Sequence, residues 1–129
     1  MVRQIINPES VHSTAGVGYS HAAVAGNTVY IAGQVALDSD RNLVGKGDIE
    51  AQAHQVYCNL KAILEEIGSG LGDIVKTTTY LTDRSQLDAL RRVRSSFFRE
   101  PFPPNTLLLV SGLAHPDYLV EIEAIALLT

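Results

Sequence analysis

The chain has 129 residues, 46% of them apolar and 19% charged, and a formal net charge of −4. That size and balance fit one globular domain, residues 1–129, which can bury a core without disulfides or a structural metal. They argue against a disordered chain and against a general nucleic-acid binder, and no apolar run nears the roughly 18 residues of a membrane span. In chain order, residues from about Val2 to Ile6 suit a short strand, broken at Asn7-Pro8. A weakly extended stretch from Tyr19 to Ala25 meets Thr28–Ala32 across Gly26-Asn27, a hairpin signal. Asp48 caps a helix in which Ile49, Ala53, Val56, Leu60, Ile63, Leu64 and Ile67 recur at helical spacing until Gly68. Asp73 to Leu81 is dense in β-branched residues and reads as a strand. Asp83 with Gln86 resembles a capping box for a second helix that stops before Pro101. Leu107 to Val110 reads as a buried strand, and Tyr118 to Leu128 as a final one.

The order is β-β-β-α-β-α-β-β, an α+β arrangement in which two amphipathic helices lie on a sheet. The single cysteine, Cys58, rules out an intrachain disulfide and suits a reducing compartment. The first residues lack the apolar stretch of a signal peptide, so the expected location is cytoplasmic.

On the last strand, alternation places Glu121 and Glu123 on one face with Leu119, Ile125 and Leu127. Two readings stand: an edge strand with solvated glutamates, or a carboxylate in a cleft whose raised pKa suits general acid–base work. On the second helix, Leu87, Leu90, Val93, Phe97 and Phe98 form an apolar arc. Arg94 falls inside it, Arg91 just past its edge, and Arg92 on the far side. An arginine so placed snorkels, pairs with an acid or meets an anion, and Glu121 and Glu123 are possible partners.

Gly68-Ser69-Gly70-Leu71-Gly72 closes a helix and leads into a strand, the reverse of a phosphate-binding loop, so it is a turn. His12, His21, His54 and His115 lack metal-ligand spacing, and no metal is expected. Cys58 lies opposite the apolar arc with no nearby histidine in sequence to activate it, and is assigned no role.

Several segments together resemble the RidA/YjgF family, also labelled endoribonuclease L-PSP. They are Gly26-Asn27 through Ala32-Gly33-Gln34, then Gln52 through Leu60-Lys61-Ala62-Ile63, and Gly72-Asp73-Ile74-Val75-Lys76-Thr77-Thr78. Phe97-Phe98, Phe102-Pro103 and above all Glu121-Ile122-Glu123-Ala124-Ile125-Ala126 complete the pattern, which runs from Tyr19 to Ala126. The resemblance implies a chorismate-mutase-like fold with one mixed sheet and two helices on one face. It implies a homotrimer with ligand clefts between subunits, acting on small 2-imino acids or enamines without metal or cofactor.

Carried over residue by residue, the water-positioning glutamate matches Glu121, the pocket tyrosine Tyr19 and the turn glycine Gly33. Gly18 stands where a proline is usual, and Ala32 where a serine is common. The family's carboxylate-gripping arginine falls on Asn105, a cysteine on Leu107, and a helix asparagine on Arg91. Asn105 cannot form a charged fork, and loss of such a pair costs on the order of 1.5–3 kcal/mol in binding. The resemblance therefore implies an imine or enamine deaminase with altered substrate preference: either Arg91 is a relocated cation, or the pocket accepts something less acidic or only binds. The alternative is a trimer that binds a small metabolite without turning it over. Ribonuclease activity fits the acidic balance poorly.

Overall fold

The computed structural model describes residues 3–129, so Val2 of the first expected strand lies outside the described residues. Six strands form one sheet: β1 (Gln4–Ile6), β2 (Ala22–Ala25), β3 (Thr28–Gln34), β4 (Ile74–Leu81), β5 (Asn105–Leu109) and β6 (Val120–Leu127). Their order is β1-β2-β3-β6-β4-β5. The β4–β5 pair is parallel and the others antiparallel, so the sheet is mixed. Two helices, α1 (Ile49–Glu66) and α2 (Leu87–Ser95), cover one face, the α+β architecture expected from the sequence.

Helix α1 begins where Asp48 accepts a hydrogen bond from the Ala51 amide at 3.1 Å. It ends at Gly68, whose φ of 73° suits a residue without Cβ. There the Ser69 amide bonds the Leu64 carbonyl and the Gly68 amide that of Glu65, a Schellman closure. Between these ends Ala53, Val56, Leu60, Ile63 and Leu64 are fully buried against β3 and β6.

The second helix starts differently from the expected capping box. Asp83 accepts from the Ser85 amide and hydroxyl, capping a short 3-10 turn, Arg84–Gln86, ahead of α2. The Gln86 side chain does not reach back, and its buried Oε1 has no partner among the described residues. Phe97 and Phe98 lie past the end of α2 and pack on Tyr57 of α1, with ring centroids 5.2 and 5.6 Å apart.

The expected buried strand at Leu107–Val110 is corrected to an edge strand, Asn105–Leu109. It pairs on one side only, with β4, and Leu108 and Leu109 stay 45% and 43% exposed. Strand β6, by contrast, is central, between β3 and β4.

Sheet alternation separates two surfaces. Val120, Ile122, Ala124 and Ala126 of β6 face the helices and are buried. Glu121 pairs with Tyr80, and Glu123 with Thr78, on the face no helix covers. Tyr30, Leu108 and Leu127, each 42% exposed or more, share that open face.

Candidate functional site

Glu121 lines a cleft of about 460 Å³ together with Tyr19, Gly33, Arg41 and Tyr118. A bulge in β3 shapes it. Ile31 pairs with Ala124 and Gln34 with Ile122, so β3 spends one more residue than β6 between these pairs. The extra residue brings Gly33 against the Glu121 side chain. A Cβ on Gly33 would lie 2.8 Å from Glu121 Cδ and 2.9 Å from its Cγ, and closer still to Oε2. The glycine leaves the carboxylate room in the cleft.

The Glu121 carboxylate has no hydrogen-bond or ion-pair partner among the described residues. Burial pushes its pKa above the ordinary glutamate value, and the neighbouring Glu123 charge adds to the shift. Glu123 differs in having a partner, the Tyr80 hydroxyl, which donates to it. That bond chiefly raises the Tyr80 pKa, with burial and the two glutamate charges adding to it.

Buried polar side chains hold the surrounding backbone. Gln52 donates to the Gly45 and Asp117 carbonyls at 3.1 and 2.9 Å and accepts from the Leu119 amide at 2.9 Å. It fixes the chain two residues before Glu121. Asn59 donates to the Val35 and Leu37 carbonyls at 3.1 and 3.0 Å, anchoring the loop after β3. Gln34 donates to His21 Nδ1 at 3.0 Å, and His21 Nε2 donates to the His12 carbonyl at 2.7 Å. Burial, with His21 and Arg41 nearby, lowers the His12 pKa to about 4, so the ring is neutral near pH 7.

Arg41 went unnoticed in the sequence. It sits at φ 63° in a turn whose Asp38 side chain accepts from the amides of Asp40 and Asn42. Its guanidinium donates to the Ser13 carbonyl, tying two loops together. The Asp-Ser-Asp-Arg-Asn run was a turn signal that could have located it.

Arg91 and Asn105 occupy a different cavity, about 470 Å³, between α2 and the β4–β5 edge. Arg94, Phe98 and Phe102 line it as well. Asn105 Oδ1 accepts from the hydroxyls of Thr77 and Thr79 at 2.9 and 2.8 Å. Asn105 pairs with Thr77, whose neighbour Ala124 is buried under the helices, so this residue is on the helix-covered face. Leu107 lines neither cavity; it is half-buried against the core.

The arginines do not pair with Glu121 or Glu123. Arg92 bridges to Glu50 at 3.1 Å, and Arg91 approaches Asp88 at 3.7 Å. Cys58 has a neighbour that its sequence reading missed, His54 one turn earlier, with Sγ 3.6 Å from Nδ1. Burial pushes this thiol up, so the pair is not an activated nucleophile. No cluster of three metal-ligating side chains occurs among the described residues.

A family sequence model described as Endoribonuclease L-PSP matches residues 10–128. A RutC family protein of Pyrococcus abyssi is 40% identical over 126 residues, covering 98% of each chain. The 3-aminoacrylate deaminase RutC of Acinetobacter baylyi is 33% identical, again over 98% of both. The crystal structure of RidA from an Antarctic Psychrobacter superposes with a TM-score of 0.89 at 37% identity, over 97% of this chain and 99% of that one. The chain belongs to the RidA/YjgF family and has its chorismate-mutase-like α+β fold. Imine and enamine deaminases are among its relatives.

Proposed function

We propose that the protein hydrolyses a small 2-imino acid or its enamine tautomer, with Glu121 positioning and deprotonating the attacking water. The observation that carries this reading is an unpaired, half-buried carboxylate with a raised pKa beside a cavity, given room by Gly33. Such a group can take a proton at moderate pH.

The chemistry balances without a cofactor. Water oxygen adds to the carbon of the protonated imine as one water proton passes to Glu121, giving a neutral carbinolamine. That proton then returns to nitrogen, Glu121 takes the carbinolamine hydroxyl proton as the C–N bond breaks, and ammonia leaves behind a 2-oxo acid.

The imino acid's carboxylate needs a cation. The arginine cavity offers Arg91 for this, with the Asn105 amide group beside it. Within one chain this cavity and the Glu121 cleft lie on opposite faces of the sheet, separated by β4. A substrate can reach both only if two copies of the chain each contribute one part. This supports a homotrimer with clefts between subunits, as does the open sheet face bearing Tyr30, Leu108 and Leu127.

Ammonia release from imines generated in situ by an amino-acid oxidase tests the reading. The protein is expected to exceed the buffer rate with at least one imine. A rate equal to buffer for charged and neutral imines alike contradicts catalysis, and ligand-induced melting shifts without turnover would favour the metabolite-binding trimer.

A further inference from the structure

We propose that Arg94 is the second cation of a cavity that accepts two carboxylates, so that the preferred substrate is a 2-imino dicarboxylic acid. This rests on the hydrolytic reading above and names its substrate class.

Arg94 is half-buried on the apolar side of α2, where Leu90 and Phe98 are buried. It has no acidic partner within ion-pair distance among the described residues. Arg91 stands three residues away, so both guanidiniums project from neighbouring positions of the same helix. Its contact with Asp88 is long, and the two side chains are 58% and 87% exposed, so water screens that pair. Two like charges side by side over an apolar wall repel each other and favour a bound anion.

The remaining lining agrees. No carboxylate borders the cavity among the described residues, and Phe98, Phe102 and Pro103 supply an apolar wall for a short carbon chain. Asn105 Oδ1 is occupied by two threonine hydroxyls, which leaves the amide NH₂ to donate. A monocarboxylate would neutralise one guanidinium and leave the other unmatched. A dicarboxylate answers both, and each charged fork works better beside an apolar wall than in open water.

Calorimetric titration with 2-oxo acids, the products of the reaction, tests this without requiring turnover. Oxaloacetate should bind the wild-type protein about tenfold or more tightly than pyruvate at matched ionic strength. Arg94→Gln should shrink that preference to within about threefold, and Arg94→Lys should restore part of it. Equal affinity for the two acids in wild type, or an undiminished preference in Arg94→Gln, overturns the proposal. Inorganic phosphate binding more tightly than oxaloacetate overturns it too, in favour of a phosphate site. A preserved dicarboxylate preference in a protein that hydrolyses no imine would support the two-carboxylate cavity while removing the catalytic reading.

Discussion

Gly33 and Glu121 share one space: the volume that a side chain on Gly33 would fill is occupied by the Glu121 carboxyl group. Gly33 has no positive φ, so the requirement for glycine is spatial rather than conformational. Gly33→Ala should therefore push the carboxylate out of position at little cost to the backbone. Turnover should fall on the order of 10²-fold. The stability cost should be only about 1 kcal/mol, because a side chain bordering a cavity can move aside. Steady-state kinetics alongside urea denaturation would separate the two effects.

In the proposed mechanism Glu121 works as the ionised carboxylate, and burial raises its pKa. Activity should fall on acidification through a midpoint above the ordinary glutamate value. Glu123→Gln removes the like charge and should move that midpoint down. The stability effect has the opposite sense. The folded state favours the protonated form, so this contribution to stability is present at low pH and lost as pH rises through the folded pKa. Glu121→Gln should melt higher than wild type at pH 7, with the gap closing below about pH 4. Paired melting curves across pH would show it.

His12 gives a second pH dependence. Its folded pKa of about 4 lies below the ordinary histidine value of about 6.5, so the unfolded chain binds the proton first on acidification. Stability should decline between pH 6.5 and 4, by at most about 3 kcal/mol from this group. Denaturation at several pH values should show a shallower decline in His12→Gln than in wild type.

Gln52 makes three hydrogen bonds while fully buried. Gln52→Leu would strand two carbonyls and an amide, at a cost of about 2–4 kcal/mol. Because these groups precede β6, the variant should also lose activity beyond its loss of stability. Turnover measured well below its melting temperature would reveal this.

Much of the fold was legible because its signals are local. The Asp48 cap, the apolar period of α1 and the Gly68 stop each act within one turn of chain. The period of two in β6 likewise placed Glu121 and Glu123 together, and the helical wheel placed Arg94 among apolar neighbours. What stayed hidden depends on pairing between distant segments. Nothing near Leu107 says that its strand will be an edge, and nothing near Glu121 says that β6 will enter between β3 and β4. The separation of Glu121 from Arg91 depends on which face of the assembled sheet the helices cover, and the periodicity of a single helix or strand does not reveal that. Arg41 was missed because its role comes from a turn folding over a different loop.

The central claim is that Glu121 of one copy acts on a substrate held by the arginines of another. Co-refolding Glu121→Gln protein with an Arg91→Gln/Arg94→Gln double variant, then measuring ammonia release from an in situ imine, tests it most directly. Each variant alone should be nearly inactive, while the mixture should regain about a quarter of wild-type activity, the share of interfaces that pair an intact carboxylate with intact arginines. A mixture no more active than its components, beside an active wild type, would contradict the claim.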